Sequence, residues 1–361
     1  MKRFPVLFII FFACLSLPHR AMGTTLTIRD MAGRTVSLQG RANRIICLGP
    51  GALRLIVYLH AADRVVGVED IEKRFPLSRP YWVANQWLEK LPTIGPGGPG
   101  AINKMPDMEA VLAARPDLIF VSYMERAKAD LLQSRLGIPV VALSYGDEGT
   151  INKKIYDSLR VAGKVLCLEH RAEQVISFIE RSKNYLISAI RGYPEGQKPT
   201  VYAGCIGYRG LHGIGSTEAN YLPFEWVRAR NVAKEIKARG HVFVDREQIL
   251  SWDPQVIFVD SAGLPLLKQD YFKKRKFYNS LRAFKEKRVY ILYPYNWYAT
   301  NVGTAISDAY AVAKVLYPEI FKNMELRTKV DEIYTFLVGH ALYSKMINAY
   351  GLLLDKPDFL K

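Results

Sequence analysis

The sequence predicts an α/β protein of two similar lobes, each a mainly parallel sheet flanked by helices, joined by one long rigid α-helix. Three observations carry this. First, one unit occurs twice: Pro106–Ser122 (PDMEAVLAARPDLIFVS) and Val244–Asp260 (VDREQILSWDPQVIFVD) align at a constant offset of 138, with seven of 17 positions identical. The identities are Asp107/Asp245, Glu109/Glu247, Leu112/Leu250, Pro116/Pro254, Ile119/Ile257, Phe120/Phe258 and Val121/Val259. Each copy reads as a short amphipathic helix, a proline stop, and a strand apolar on successive residues, as a strand covered on both faces would be. Second, strands and helices alternate through both halves, the pattern of parallel sheets. Third, Ala172–Arg191 has no Gly or Pro between the two copies and ends at Gly192-Tyr193-Pro194. About 20 helical residues make a rod of roughly 30 Å, with limited hinge motion.

The chain has 361 residues and a formal net charge of +16. Lys2 and Arg3 precede an apolar run, Val6–Leu17, too short to span a bilayer, and Ala21-Met22-Gly23 supplies small residues for cleavage. Residues 1–23 read as a signal peptide, 24–168 as an N-terminal lobe, 169–194 as the connecting helix and 195–361 as a C-terminal lobe. An alternative start lipidates Cys14, in a poor lipobox. Cleavage removes Lys2, Arg3 and Arg20 and no acid, so the charge falls to +13. A basic exported protein attracts anionic ligands or surfaces. There is no helix–turn–helix, zinc-finger or RNA-recognition signature, so nucleic acid is not an expected partner. Cys47, Cys167 and Cys205 remain, an odd and widely spaced set that is no disulfide scaffold; Cys47 and Cys205 read as small buried residues.

In chain order, Leu26–Arg29 and Thr35–Leu38 form a hairpin around Gly33. Arg44–Leu48 is a buried strand running into Gly49-Pro50-Gly51-Ala52 and the helix Leu53–His60. Val65–Val68 is a second strand, followed by a loop with large side chains, Trp82 and Trp87 among them. Gly95–Gly100 matches GxGxxG literally, but two prolines spoil the turn-to-helix geometry and no helix starts before Asp107, so it reads as a stiff turn. Ala127–Leu136 is a helix, Pro139–Leu143 a strand opening into Tyr145, and Ile151–Leu168 a helix. The second half restarts at Thr200–Ala203 and a Gly-rich loop with Tyr208, Arg209 and His212. Phe224–Ala233 reads as helical, as does the Lys-rich Leu281–Lys287. Arg288–Leu292 is a strand emptying into Tyr293–Tyr298, the densest aromatic cluster. Helices Thr304–Leu316, Leu326–Leu337 and Ala341–Leu354 close the chain.

Ligands of parallel sheets bind off the carboxyl ends of the strands. The loops there offer aromatic area with a few cations and amides: Trp82, Trp87, Tyr123, Tyr145, Tyr208, Arg209, His212, Tyr295, Asn296, Trp297 and Tyr298. Each aromatic alone has a packing explanation, but Trp297 and its neighbours stand at a strand end in polar context, where ligand contact is favoured. No GxSxG, HxH, HExxH or catalytic carboxylate pair is present; the nearest text to the first is Gly213–Thr217. A metal site and a catalytic centre are therefore not expected, though an exported α/β enzyme remains the competing class.

The exported start, TIRDMAGRTVSLQ followed by RANRIICLGP, the doubled Glu…Pro…apolar unit, the single central helix and YNWYATN…ISDAYAVAKVLYPEIF together resemble the periplasmic substrate-binding proteins of ABC importers for ferric siderophores, haem and cobalamin. The resemblance covers nearly all of the chain after the leader. It implies two lobes joined by one helix, a small-molecule metal chelate held between them, no resident cofactor, a monomer, and delivery to membrane permease subunits. It also implies that Glu109 and Glu247, one per lobe, dock onto permease arginines. The cargo it leaves open. Basic charge favours an anionic ferric chelate, most simply a ferric siderophore. Haem would use Tyr208 or His212 as axial ligand, and a corrinoid would use the aromatics.

Overall fold

The computed structural model describes residues 25–74, 79–146, 149–238 and 240–361. The signal-peptide and Cys14 readings lie outside the described residues. Strands β1 (Thr25–Arg29) and β2 (Thr35–Gln39) form the expected antiparallel hairpin. β3 (Ile45–Leu48), β4 (Val65–Gly67), β5 (Leu118–Ser122) and β6 (Val140–Leu143) form a parallel sheet in the order β4-β3-β5-β6. β7 (Thr200–Gly204), β8 (Ser216–Glu218), β9 (Arg230–Asn231), β10 (His241–Phe243), β11 (Val256–Asp260) and β12 (Val289–Leu292) follow. Four of these make a second parallel sheet in the order β9-β7-β11-β12, while β8 and β10 pair as a separate antiparallel ribbon. The two four-stranded sheets share one topology: first strand inner, second strand at one edge, third inner, fourth at the other edge.

The duplication extends into the packing. Asp107 caps the helix Met108–Ala113 by accepting from the Ala110 amide, and Asp245 caps Arg246–Trp252 by accepting from the Gln248 amide. Both bonds sit at the 138 offset. Leu118 and Phe120 of β5 face the main core while Ile119 and Val121 face a smaller one behind the sheet. In β11, Val256 and Phe258 face the main core and Ile257 and Val259 the rear one. Alternate side chains of a strand point to opposite faces, so burial on both faces needs the unbroken apolar run seen in each copy.

The connecting helix is Glu169–Ala189, 21 residues, its buried side including Val175, Phe178, Ile179 and Leu186. It is not the sole tie between the lobes. The main core is continuous from Leu55, Leu159 and Val175 through Phe224 and Phe258 to Ala309 and Leu337. After β12 the chain turns toward the first lobe. The helix Leu326–Val338 then packs on Ala52–Tyr58 and Pro80–Ala84, while Val302–Leu316 packs on the connecting helix. Two such ties favour lobes that move little.

The hairpin covers an exposed sheet edge. The Met31 amide donates to the Ala142 carbonyl and the Ala142 amide to the Asp30 carboxylate. Asp30 in turn pairs with buried Arg34, whose guanidinium also donates to the Val140 carbonyl. Edge β6 is thereby closed to other strands.

One expectation needs correction. Phe224–Ala233 is not one helix: Leu222–Trp226 is helical, Arg230–Asn231 is edge strand β9, and a 3₁₀ turn follows. A two-residue strand holding Arg and Asn gives no apolar run to read. The Lys-rich segment expected at Leu281–Lys287 does hold a short helix, Arg282–Lys285, preceded by a separate one, Arg275–Ser280. Gly95–Gly100 is an irregular turn as expected, with Gly97 packed on Glu69 and Ile71. Among the described residues no helix is long and apolar enough to cross a membrane.

The matched caps generate a prediction. Asp107→Ala and Asp245→Ala should each cost about 1 kcal/mol, with the double variant near additive because the helices lie in different lobes. Urea unfolding measures this; equal stability of the double variant and the parent would remove the caps from the account.

Candidate functional site

Both sheets reverse strand order between their inner strands, β3/β5 and β7/β11, and ligands of open α/β sheets sit at such switch points beyond the carboxyl ends. In the first lobe the backbone leaves β3 through Gly49 and Gly51, both in the left-handed region. A Cβ on Gly49 would lie 2.5 Å from the Ser122 carbonyl oxygen, and one on Gly51 2.4 Å from the Tyr145 ring. Only glycine fits at either position. This close turn starts the helix Ala52–Tyr58, which is buried all round and carries one charge, Arg54. The Arg54 guanidinium donates to the carbonyls of Trp297 (2.9 Å), Tyr298 (3.0 Å) and Thr300 (3.0 Å), and lies 4.8 Å over the Tyr81 ring. The loop after β12 is thus fixed to the first lobe.

That loop delivers Tyr298 into the crevice. Its hydroxyl donates to the Glu69 carboxylate (2.7 Å) and accepts from the Gly98 amide (3.1 Å); the Gly49 amide also donates to Glu69 (3.0 Å). Nearby, the Tyr295 hydroxyl donates to Glu218 (2.9 Å), and Gly149 of the loop after β6 faces that same pair across the cleft. A pocket between the ends of β3 and β5 is lined by Gly49, Glu69, Gly97, Asn103, Lys104 and Ser122.

The strand ends hold buried acids. Burial pushes Glu69 up to about 7, against the bonds from Tyr298 and Gly49. It pushes Asp260, at the end of β11, up to about 7 against the amides of Ala262 and Gly207. Asp308, which accepts from the Tyr293 amide, is raised well above the usual carboxylate range, also by burial. Lys104 is the basic residue in the lining of the pocket, beside the acid Glu69. Among the described residues no group of three or more His, Cys, Asp or Glu is placed to hold a metal ion.

The candidate residues divide three ways. Trp82, Tyr145 and Tyr295 are 0, 1 and 2% exposed, so as placed they have no face left for a ligand. Tyr145 instead donates to the Gly51 carbonyl (2.9 Å). Trp87, 43% exposed, lies with His60 and Val338 at the carboxyl end of the helix Ala52–Tyr58, the end opposite the Gly51 turn. Tyr123, Tyr208, Arg209, His212, Asn296, Trp297 and Tyr298 stand on strand-end loops and are half-buried or, for Arg209, exposed. Of these, the His212 ring meets the Tyr208 carbonyl (2.7 Å), and the Arg209 guanidinium lies 5.4 Å over the Tyr208 ring.

Sequence reasoning missed His241, Arg54, Glu69, Glu218 and Asp260. His241 stacks on Tyr208 at 4.3 Å because the β8–β10 ribbon brings it there. Burial, then His212, lowers it to about 4. Glu109 and Glu247 are exposed at the second position of their capped helices, without an ion-pair partner among the described residues.

The raised acids set a pH dependence. The folded pKa values of Glu69 and Asp260 exceed the unfolded ones, so stability from their protonated forms is complete below the ordinary carboxylate range and is lost as pH rises through 7. His241 acts oppositely, but only below about 6.5, where the unfolded imidazole charges. Between pH 6.5 and 8 the melting temperature should therefore fall, and the double variant Glu69→Gln, Asp260→Asn should flatten that fall. A slope unchanged by the substitutions, followed by circular dichroism, would rule these carboxyls out as its source.

Residues 45–295 match the periplasmic binding protein family. The molybdate-binding protein MolA of Haemophilus influenzae is 25% identical over 343 residues, 89% of this chain and 93% of that protein. Among solved structures, a periplasmic solute-binding protein of Veillonella parvula superposes with a TM-score of 0.72 at 22% identity, covering 91% of this chain and 97% of that one. Molybdate-bound MolA gives 0.66 at 22% identity, covering 88% and 98%. Helicobacter pylori CeuE with Ni-His gives 0.60 at 17% identity, covering 92% and 100%. These relatives bind solutes for transport and are not enzymes. With its doubled α/β lobes and single connecting helix, this chain belongs to the periplasmic binding protein family of ABC transporters.

Proposed function

We propose that the protein, exported by its first 23 residues, captures a compact metal-centred anion of the molybdate type in the cleft and delivers it to an ABC permease. The observation that carries this reading is where the aromatic side chains go. Trp82, Tyr145 and Tyr295, which would form a platform for a large flat chelate, are spent inside the core. Backbone amides, hydroxyls and near-neutral acids remain at the strand ends. A carboxyl kept protonated by burial can donate a hydrogen bond to an oxyanion, where an ionised one would repel it. The near full-length likeness to a molybdate-binding protein supports the same cargo class.

A ferric siderophore is the second reading, favoured by Tyr208 and Arg209 together on an exposed loop, a cation beside a phenol suited to an anionic chelate. Haem or a corrinoid would have to rest on the half-buried Tyr208, Trp297 and Tyr298, since Trp82, Tyr145 and Tyr295 are buried. Titration of tryptophan fluorescence with molybdate, tungstate, sulfate, ferric hydroxamate, ferric catecholate, haem and cobalamin separates these. Saturable one-to-one binding of molybdate and tungstate, with sulfate weak, is expected. A response to the ferric chelates alone moves the second reading to first, and silence across the panel removes both. Trp297→Ala should weaken binding by about 1 kcal/mol or more, the scale of one lost aromatic contact; an unchanged Kd takes Trp297 out of the site.

Delivery uses one carboxylate per lobe, Glu109 and Glu247, each exposed and free to pair with a permease arginine. Charge reversal at both should abolish uptake by whole cells and leave the Kd for the solute unchanged. If uptake persists, or affinity falls with it, docking is elsewhere.

A further inference from the structure

The doubled helix carries more than the fold needs. Of the seven identities between its copies, five have a structural reason. Asp107 and Asp245 cap their helices. Pro116 and Pro254 stop them. Ile119/Ile257, Phe120/Phe258 and Val121/Val259 are buried on the two faces of central strands. The other two pairs are not explained by packing: the helix dipole favours an acid in each first turn, but it asks for no exposed leucine three residues on. Glu109 and Glu247 are exposed. Leu112 and Leu250 are 50% and 38% exposed. Residues three apart share one face of a helix, so each lobe presents a glutamate beside a leucine. A single exposed leucine needs no explanation. Here the same leucine is kept in both copies while its surface neighbours diverge: Met108 against Arg246, Ala110 against Gln248, Ala113 against Ser251.

We propose that Leu112 and Leu250 are paired apolar anchors of a docking surface whose occupant is a membrane permease made of two like subunits, one Glu–Leu pair engaging each subunit. The inference rests on the delivery reading above and extends it. Two matching patches on one chain fit two matching receivers related by a two-fold axis. The carboxylates are uncompensated negative points on a strongly basic molecule, and they steer and orient encounter with cationic groups. The leucines then supply what an exposed ion pair does not, apolar area removed from water at the centre of each contact. Both side chains project from capped helices held against the sheets by Val111 and Ile249, again at the 138 offset. The anchors are therefore rigidly presented.

Site-specific photo-crosslinking in the native host tests this. A photoreactive residue replaces Leu112 or Leu250, with Leu266, exposed on the helix Leu264–Lys273, as the control. The same membrane-spanning polypeptide should be captured from positions 112 and 250 and not from 266. Capture of a soluble protein, or of different partners from the two positions, overturns the proposal. The yield from position 112 is then read in two backgrounds. Leu250→Ser should lower it at least fivefold, and Glu247→Lys at least as much. If Glu247→Lys lowers it and Leu250→Ser does not, the leucine role fails and the delivery reading stands. If neither does and no membrane polypeptide is captured, the delivery reading fails as well. Both leucines are exposed, so the serine variants should fold as the parent does, which circular dichroism checks.

Discussion

The arrangement of the cleft depends on one buried cation. Arg54 sits in a helix with no other charge and no exposed face, and donates hydrogen bonds to three carbonyls of the loop that follows the last strand. A guanidinium is planar, permanently charged and carries five donors in a fixed fork, so it can hold several carbonyls where an ammonium would act as a point charge. Those carbonyls belong to a segment with Tyr298 and Ala299 in the left-handed region, a conformation that non-glycine residues adopt only when the surroundings over-determine it. Arg54 is a main determinant, together with Asn301, which donates to the Tyr295 and Trp297 carbonyls. Through it the second lobe's final strand is tied to the first lobe's first helix, Tyr298 reaches Glu69, and Trp297 and Asn296 are presented at the strand ends. The continuous apolar core and the connecting rod act in the same direction. The lobes are thus held by covalent, apolar and polar ties together, and cargo specificity has to come from the walls rather than from large closure.

Much of this fold is legible in the sequence, because its signals are local and doubled. The offset of 138 locates β5 and β11, their helices and their caps at once, and strand order repeats from one sheet to the other. Each apolar run reports burial on both faces, as the inner strands of a covered parallel sheet require. The failures lie where the determinant is tertiary. β9 is two polar residues paired at a sheet edge, and β8 and β10 are three residues each; none has enough length for a period to show.

The site was harder to read for a different reason. Aromatic residues at strand ends were the natural candidates, but Trp82, Tyr145 and Tyr295 are large enough to serve either core or rim, and composition does not say which. Tyr145 is claimed by the Gly51 turn: the glycine that lets the helix begin makes room for a ring, and the ring fills it. A clearer signal was present in the charges. Arg54 interrupts an otherwise apolar LRLIVY, and Glu69 and Asp260 directly follow or close apolar strand runs. An ionisable residue placed where burial is forced must find partners. Each of them did, and each marks the cleft more sharply than the aromatics do.

The balance of charge has the same logic. A basic surface and an acidic floor look contradictory for the anionic cargo proposed above, but they act at different distances. The surface field works through solvent over roughly a Debye length, about 8 Å at physiological ionic strength, and raises the local concentration of anionic solutes. The floor acts in contact. There, burial raises Glu69 and Asp260 to about 7, so each carboxyl spends much of its time protonated near neutral pH. Glu69 already receives hydrogen bonds from Tyr298 and Gly49, which stabilise its ionised form and keep it poised between the two states. An arriving anion favours the protonated form, and a group so poised gives up little free energy to adopt it.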